Sequence, residues 1–254
     1  MEIVILGTSA VKPLPRENCH CPICCSKNKK DRRMRSSILI NRKFLIDCGP
    51  DILNQIKNQK LKIKNLRAIF ITHRHFDHIV GLKKIASPRL VGLGPNNLVL
   101  YISKIDAKIL DKKILSKFKV KIIKPFQKIK VDNLVFQPIP VIHPGSKNTF
   151  AFKIWENKKT LVYMPDYKKI PKKSLGLFQN IDVLIVGGAS LSKKLPWHAA
   201  IIETIKLTKQ LGVKKIYFTH IGHRTLPHQE LVKFVQKTGG KNFNICFDGQ
   251  RTRV

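Results

Sequence analysis

Short apolar runs separated by polar turns recur along the chain, and most have the length of a β-strand. Several of these runs are rich in Ile and Val, which favour strands, so the pattern predicts a protein built on sheets. The predicted strands span residues 3–6, 37–40, 44–46, 68–72, 98–102, 134–139, 149–154, 160–163, 183–186 and 215–219.

Apolar residues at helical spacing predict helices over 51–58, 81–85, 107–117, 199–211 and 229–238. In the clearest of them, Ile201, Ile205 and Leu211 share one face, and Gly212 is typical of a helix end. Strands predominate in each half of the chain, with helices between and after them. This order favours an α+β fold, an αββα four-layer sandwich with two packed sheets and helices outside. Since no long linker interrupts the pattern, we expect a single domain over 1–254.

The composition is that of a globular protein, with 43% hydrophobic residues in 254. No apolar run approaches the roughly 18 residues that a membrane helix needs. The first residues, Met1 to Gly7, have the pattern of a strand and lack the basic start of a signal peptide. We therefore expect a cytoplasmic protein with no membrane partner.

The charge is strongly positive: 49 Lys and Arg face 15 Asp and Glu, for a net charge of +34. An anionic partner, either a phosphorylated small molecule or a nucleic acid, would suit this charge. The excess is mostly Lys and is spread over the chain, which the composition of an AT-rich genome would also produce. Aromatic residues are only 7%, so the basic segments lack interleaved stacking platforms of the single-strand-binding kind. The charge thus supports an anionic substrate but does not distinguish a small molecule from a nucleic acid.

Four residues of metal-binding type follow the predicted strand at 68–72: His73, His75, Asp77 and His78. The alternative is a polar surface turn, but three of the chain's nine histidines fall within six positions. Imidazole and carboxylate groups suit zinc and related ions. We predict that His73 and His75 bind one ion, and that Asp77 and His78 bind a neighbouring one.

Three further candidates, His143, Asp166 and His220, each follow an apolar run of strand length. A strand end is a rigid place from which to present a ligand. Taken singly, each residue could be a polar cap at the edge of the core. Together with the first cluster, they predict a completed two-metal site.

With this set the chain resembles the metallo-β-lactamase superfamily, and the resemblance covers nearly the whole chain. It rests on the His-x-His-x-Asp-His core, on the preceding segment 45–49 and on the three later ligands. The resemblance implies the αββα fold and a supporting role for Asp47 beside the site. It also implies the metal assignments: His73, His75 and His143 to the first ion, Asp77, His78 and His220 to the second, and Asp166 to both.

Cysteines Cys19, Cys21 and Cys24 have C-x-C-x-x-C spacing near the start of the chain. Without a secretory signal, such a cluster favours a metal site over a disulfide framework, and three thiolates can occupy three corners of a tetrahedron. We predict a small structural-zinc loop at about 19–25. Free thiols are the alternative. The preferred fourth ligand is His223, and the other candidates are His20, Cys25 and His228.

The cysteine loop resembles that of the phosphoribosyl cyclic phosphate phosphodiesterases of the carbon–phosphorus lyase pathway. In that family such a loop and a late histidine hold a structural zinc, and the segments 31–37 and 48–51 also match. The family's general acid precedes the late helix, where this chain has His198; Asp77 is expected to be catalytic as well as ligating. The chain departs from the family at 195–197 and at 9–15, both bordering the expected pocket.

The resemblance implies two divalent ions, zinc or manganese, and hydrolysis of a cyclic phosphate or small nucleotide-like phosphodiester. One alternative is a nuclease of the transfer-RNA 3′-end type, which uses a late histidine near the position of His198. Such enzymes usually carry a Gly- and Pro-rich arm and lack the cysteine loop, unlike this chain. A non-enzymatic nucleic-acid-binding protein would not need all seven ligands. Dimers are common in the group, so the resemblance is compatible with a homodimer but does not determine the oligomeric state.

Overall fold

The computed structural model of the chain describes residues 1–87 and 98–254. Its strands form two seven-stranded sheets. The first sheet contains β1 (Glu2–Gly7), β2 (Ser37–Ile40), β3 (Phe44–Ile46), β4 (Ala68–Phe70), β5 (Val99–Ser103), β6 (Lys119–Ile123) and, beside β1, β14 (Arg251–Arg253). The second has the order β13 (Phe243–Ile245), β12 (Lys215–Thr219), β11 (Val183–Gly187), β10 (Lys159–Met164), β9 (Thr149–Glu156), β8 (Leu134–Val141), β7 (Ile129–Val131).

Helices cover the outer faces of both sheets. They are α1 (Pro22–Cys25), α2 (Ile52–Asn58), α3 (Phe76–Ile79), α4 (Leu82–Ile85), α5 (Lys104–Ala107), α6 (Lys112–Leu115), α7 (Lys172–Leu175), α8 (Ile201–Lys209) and α9 (His228–Gly239). Short 3₁₀ turns lie at Lys29–Asp31, Ile63–Asn65 and Gly176–Phe178. Within the described ranges, no helix is long and apolar enough to cross a membrane.

Apolar side chains on both faces of the strands produce the four layers. In β1, Ile3 and Ile5 pack into the core between the sheets, whereas Val4 and Leu6 pack outward against α2 and α4. Successive side chains of a strand point to opposite faces, so one apolar strand supplies both cores. The second sheet does the same, with its outer face buried under α8 and α9. The predicted α+β αββα sandwich is confirmed.

An aromatic cluster centred on Phe70 fills the core between the sheets. The Phe70 ring stacks on Phe136 of the other sheet at 4.1 Å and on Tyr101 at 4.5 Å, and it meets Phe152 edge-on at 5.6 Å. These rings join β4 and β5 to β8 and β9, so they hold the sheets together a few residues from the ends of the strands.

Strand direction brings the predicted ligands to one edge of the molecule. Strands β3, β4 and β5 are parallel, as are β10, β11 and β12. Strand β8 runs the same way as β10 because each pairs antiparallel with β9. At this edge the Phe150 N–H donates to the Thr72 carbonyl across the sheets at 3.0 Å. The carboxyl ends of β4, β8, β10 and β12 therefore face one another.

Two expectations about the elements are wrong in detail. The predicted helix over 107–117 is wrong: α5 ends at Ala107 and α6 spans only Lys112–Leu115. Each short helix begins at its own cap, where Ser103 accepts from Asp106 N and Asp111 accepts from Lys113 N. The strands missing from the prediction are β6, β7, β13 and β14, and they lie at the four sheet edges. Edge strands bury less surface, so their apolar signal is weak; Lys119 and Lys121 of β6 are exposed.

Truncating Phe70 should destabilise the fold strongly, because its ring is fully buried between the sheets. We expect Phe70→Ala to lower the free energy of unfolding by about 3–5 kcal/mol, measured by urea denaturation. The matched control is Phe76→Ala, since the Phe76 side chain is exposed and its loss should cost less than about 0.5 kcal/mol. Similar losses in the two variants would contradict the packing role of Phe70.

Candidate metal centre

The predicted ligands follow four strand ends. His73 lies three residues beyond β4, and the chain then turns into α3, which places His75 at the helix N-cap and Asp77 and His78 in its first turn. His143 and Asp166 each lie two residues beyond their strands, β8 and β10. His220 directly follows β12. All are buried except His75, which is partly buried.

The structure brings these residues together as two groups around Asp166. The ligand atoms of His73, His75 and His143 lie within 4.8 Å of one another, and those of Asp77, His78 and His220 form a second such group. Asp166 touches both. Its Oδ2 lies 3.9 Å from His73 Nε2 and 2.7 Å from His78 Nε2, and its Oδ1 lies 3.1 Å from His220 Nε2. The groups are those predicted from the sequence, and their roles as ligands stay predictions.

The donor atoms fit a pair of metal ions. Within the described residues, Nε2 of His73, Nε2 of His78 and both Asp166 oxygens are buried without a hydrogen-bond partner. The 2.7 Å contact between His78 and Asp166 is short but not aligned as a hydrogen bond. His75 Nδ1 and His143 Nε2 also approach to 3.1 Å. Ligand atoms aimed at a shared point have this geometry, and buried polar atoms are otherwise costly.

The carboxylates of the centre are held ionised. Burial would raise the pKa of Asp166, but the neighbouring His220 and His78 outweigh it and hold that pKa well below the usual range. Burial would likewise raise the pKa of Asp77, and the charge of His78 lowers it instead. The opposite holds for His78: burial lowers its pKa, yet Asp77, Asp47 and Asp166 raise it well above the ordinary value. Negative charge thus accumulates where a cation would bind.

Burial lowers the pKa of three further histidines of the centre. Burial lowers the pKa of His73 well below its usual value, and it lowers the pKa of His143 as well. For His220, burial lowers the pKa to about 4. A neutral ring keeps a free lone pair, which a metal ligand needs. Ionised carboxylates and neutral imidazoles form the donor set of zinc, manganese and iron centres.

Asp47 orients the ligands from behind. Its carboxylate accepts from the Thr72 backbone N–H at 2.9 Å, from Thr72 Oγ1 at 2.9 Å and from His78 Nδ1 at 2.7 Å. Thr72 Oγ1 in turn lies 3.0 Å from His73 Nδ1. With their Nδ1 atoms engaged in this way, His73 and His78 turn Nε2 toward Asp166. Such partners fix the ring orientation of a metal ligand.

Close backbone packing locks these loops in place. A Cβ on Gly49 would lie 2.1 Å from the carbonyl oxygen of Asp77, and one on Gly187 would lie 2.2 Å from that of Pro165, next to Asp166. Asp47 and His220 adopt left-handed backbone conformations, with φ of +66° and +54°. Non-glycine residues hold such conformations where the surrounding structure determines them, which is common at functional sites.

His198, the predicted general acid, lies beside the centre. Its Nδ1 is 3.0 Å from Asp166 Oδ1, and its side chain is partly exposed. It lines a cavity of about 420 Å³ together with His75, Asp77, His143, Asp166 and His220. The backbone before it is held because His143 Nδ1 donates to the Trp197 carbonyl at 2.9 Å.

Two supporting residues were missed by the sequence reasoning. Lys168 Nζ donates to the His198 carbonyl at 3.1 Å and lies 3.7 Å from Glu203, so it holds the loop that carries His198. Thr72 joins Asp47 to His73. Thr72 precedes the first ligand directly, a position that could have signalled it. Lys168 is one of many lysines and had no distinguishing signal.

The cysteine loop forms a second cluster. Sγ atoms of Cys19, Cys21 and Cys24 lie within 4.8 Å of one another. Helix α1 begins after Cys21, so Cys24 falls one turn later on the same side, and the Arg16 N–H donates to its sulfur at 3.3 Å. A hydrogen bond with the Cys21 backbone lowers the pKa of Cys19, whereas burial raises that of Cys24 to about 12. The thiols are free, not disulfide-bonded.

His223 is the candidate fourth ligand that the geometry supports. Its Nδ1 lies 3.4 Å from Cys19 Sγ. The approach depends on Gly222, where a Cβ would lie 2.2 Å from the Ala189 carbonyl oxygen. Of the alternatives, His20 and Cys25 are exposed. His228 is engaged elsewhere, with its Nδ1 3.1 Å from the buried Arg33 guanidinium.

Comparison with known proteins places the chain in a family. A family profile described as "Beta-lactamase superfamily domain" matches residues 42–221, which include all seven predicted ligands of the two-metal centre. The chain belongs to the metallo-β-lactamase superfamily. This membership supports the predicted metal-dependent hydrolase. Members of this superfamily typically bind divalent metal ions.

Individual relatives differ in how much they share with this chain. An octanoyltransferase of Porphyromonas gingivalis is 28% identical over 91% of the chain and 48% of that protein. A ribonuclease Z of Listeria monocytogenes is 36% identical over 40% of the chain and 30% of that protein. The chain thus spans about half, or less, of the length of these relatives, so their activities are not transferred whole.

Two solved structures match over essentially the full length. A diphosphatase of the PhnP family has 27% identity and a TM-score of 0.85, with 100% of this chain and 97% of that one covered. Zinc-bound PqqB from Methylobacterium extorquens has 19% identity and a TM-score of 0.84, with both chains fully covered. The second likeness shows the shared fold alone. The first likeness, at 27% identity, is to a protein that is itself a diphosphatase.

Removing the Asp47 carboxylate should weaken metal binding at the centre. We expect Asp47→Asn to lower zinc affinity roughly 10- to 100-fold, because His78 and His73 lose the partner that orients them. Competition with a chromophoric chelator measures this without an activity assay. Asp132→Asn is the control, since Asp132 is exposed and, within residues 1–87 and 98–254, pairs with Lys43 alone, at 3.8 Å. Equal zinc affinity in the two variants would contradict the orienting role of Asp47.

The cysteine loop should bind its own zinc. We expect Cys21→Ser to contain one zinc fewer per chain than the unmodified protein, measured by elemental analysis after purification, because it removes one of three thiolates. Cys25→Ser is the matched control in the same loop, since that thiol is exposed. An unchanged zinc content in Cys21→Ser would contradict a structural site here.

Proposed function

We propose that the chain is a two-metal phosphodiesterase that hydrolyses a cyclic phosphate or a small nucleotide-like phosphodiester. The observation that carries the proposal is the position of Asp166, whose buried, unpartnered carboxylate contacts ligands from both groups. A carboxylate shared by two His-rich groups would hold a pair of divalent ions, which would supply Lewis-acid chemistry for phosphoryl transfer.

In this proposal, each of the two groups would hold one ion, and Asp166 would contribute to holding both. When bound, the ions would polarise the phosphoryl oxygens and lower the pKa of a water molecule. Asp47 and Thr72 keep the histidine rings aligned, and the neutral imidazoles supply lone pairs. Asp77, buried and ionised, adds the negative charge that balances the second ion.

His198 acts as the general acid. As the new bond between water oxygen and phosphorus forms and the ester P–O bond breaks, the departing oxygen takes a proton from His198. The Nδ1 of the ring lies 3.0 Å from Asp166 Oδ1, so the ring lies at the cavity wall beside the centre. Lys168 holds the backbone carbonyl of the same residue. The protein therefore needs no nucleophilic side chain.

The PhnP-family diphosphatase supports phosphoryl chemistry, because it shares the full length of the chain. Ribonuclease Z supports a second candidate, a nuclease acting on RNA, and the net charge of +34 suits such a substrate. The match to ribonuclease Z covers only 40% of this chain, however. The small phosphodiester is therefore preferred.

Several further expectations belong to this proposal. They are two catalytic ions of zinc or manganese, one structural zinc held by Cys19, Cys21, Cys24 and His223, and a single metallo-hydrolase domain over 1–254. Six free cysteines support a reducing compartment such as the cytoplasm. The homodimer stays a prediction.

The direct test is hydrolysis by the zinc-loaded and manganese-loaded protein. The substrates are bis-p-nitrophenyl phosphate, a nucleoside 2′,3′-cyclic phosphate, a cyclic ribose phosphate and a precursor transfer RNA. We expect cleavage of the small diesters, with product measured chromatographically. If neither metal form cleaves any phosphodiester, the proposal is wrong; if only the transfer RNA is cleaved, the nuclease replaces it.

Loss of His198 should depend on the leaving group. We expect His198→Ala to lose about 10²- to 10⁴-fold in kcat with a nucleoside cyclic phosphate, whose alkoxide needs a proton to depart. The loss with bis-p-nitrophenyl phosphate should be much smaller, because p-nitrophenolate leaves without one. Equal losses on the two substrates would show that His198 is not the acid.

A further inference from the structure

The catalytic cavity is apolar wherever it is not made of predicted ligands or the acid. Its remaining lining residues are Val11, Phe76, Pro144, Gly145 and Trp197. Among the described residues, no Lys or Arg lines it, although the chain contains 49 of them. Lys12, next to Val11 in the sequence, and Lys147, two residues after Gly145, stay outside the lining. Within the described residues, the basic side chains therefore surround the cavity without lining it.

Two aromatic side chains stand out in this lining because they are exposed. Phe76 is 57% exposed and Trp197 is 53% exposed, values unusual for large apolar residues. Each is adjacent in sequence to catalytic-centre residues: Phe76 lies between His75 and Asp77, and Trp197 precedes His198. Their rings are thus presented where a substrate must approach the centre.

The Phe76 wall is held by Arg35. The Arg35 guanidinium carbon lies 5.9 Å from the centre of the Phe76 ring, and its Nε donates to the Val11 carbonyl at 2.9 Å. Asp51 anchors the same guanidinium at 2.9 Å. Because Arg35 pairs with Asp51, the positive charge of Arg35 is balanced within the wall and does not face the cavity. Arg35 instead supports an apolar surface formed by Val11 and Phe76.

The Trp197 wall is held from the other sheet. The Trp197 carbonyl accepts from the ring of the predicted ligand His143, and the next carbonyl, of His198, accepts from Lys168. The backbone is therefore fixed to the centre while the indole ring is exposed. A ring on a fixed backbone loses little conformational freedom on binding, which favours its use as a contact surface.

This lining discriminates between phosphodiesters. A substrate with phosphates beyond the one at the ions would need cations in the cavity, and the described lining offers none. A planar heterocyclic base needs an aromatic face, and Phe76 and Trp197 offer two. The cavity therefore suits a substrate with a single phosphodiester charge and a nucleobase.

We propose that Phe76 and Trp197 form a base-binding subsite, and that the substrate is a nucleoside phosphodiester with one phosphate, such as a nucleoside cyclic phosphate. This inference rests on the proposed phosphodiesterase function and sharpens it. Phosphorylated sugars without a base are poor substrates, because they leave both rings without a partner. Val11 and Pro144 add apolar contact around the base.

The kinetic test compares a nucleoside 2′,3′-cyclic phosphate with the corresponding base-free ribose cyclic phosphate. We expect Trp197→Leu and Phe76→Leu, which keep apolar bulk but remove the aromatic face, to lower the ratio of kcat/KM values between the two substrates. The decrease should be roughly 5- to 150-fold, the range that one stacking contact provides, and should arise mainly in KM. Trp197→Phe should restore most of the ratio. Ile109→Ala, equally exposed at 53% but outside the cavity, should keep it.

A binding test separates this inference from the proposed activity. The chain has two tryptophans, so a Trp155→Phe variant leaves Trp197 as the only indole reporter. Titrating the metal-loaded variant with adenosine monophosphate should quench its fluorescence saturably, and ribose 5-phosphate at equal concentration should not. Phe76→Leu in the same background should weaken the adenosine monophosphate titration.

The outcomes are distinguishable. If no phosphodiester is hydrolysed but the nucleotide still quenches Trp197 and ribose phosphate does not, the subsite stands and the activity is wrong. If diesters are hydrolysed while the Leu variants lose rate equally on both substrates, the aromatic residues only support the structure and the inference fails. Faster cleavage of a precursor transfer RNA than of any mononucleotide, with the ratio unchanged in the Leu variants, would overturn it in favour of RNA.

Discussion

The rest of the site depends on a buried line of charge from Asp47 through His78 to Asp166. Asp47 and Asp166 lie on opposite sides of the His78 ring, each 2.7 Å from one of its nitrogens. All three are almost completely buried, and such an arrangement is stable only when each charge has a partner. Asp47 follows β3 of the first sheet and Asp166 follows β10 of the second. The centre can therefore assemble only when the two sheets are correctly aligned.

The two sheets meet this requirement through strand direction. The predicted ligands follow the carboxyl ends of β4, β8, β10 and β12, and the aromatic cluster around Phe70 joins β4 to β8 across the core. Gly49 and Gly187 allow the loops beyond the strands to pack against one another's backbones. The cavity above the centre then takes its remaining walls from the segments around Phe76 and Trp197, whose backbones are tied to the same ligands. The candidate metal centre and the cavity above it therefore lie at the same edge of the two sheets.

A second buried charge, Arg33, connects the cysteine loop to the end of the chain. Its guanidinium donates to the Cys246 carbonyl and to Thr8 Oγ1, and it lies 3.7 Å from Asp31. Asp31 in turn accepts from Ser26 and from the backbone N–H of His228 at the start of α9. The loop at 19–25 is therefore fixed to α9 and to the segment that follows β13, and His223 can reach Cys19 from the neighbouring segment.

The sequence by itself determined the fold class, the superfamily and the sets of side chains that come together, because strand periodicity and ligand spacing are local properties. It also marked His198 and the cysteine loop. It did not locate the edge strands or split the 107–117 helix, since those depend on exposure and on caps at Ser103 and Asp111. Only the tertiary structure showed that Asp166 touches both groups of predicted ligands, that Lys168 holds the loop of His198, and that the cavity of a +34 chain has no Lys or Arg in its described lining. These features depend on distances between segments far apart in the chain, and no local pattern contains them.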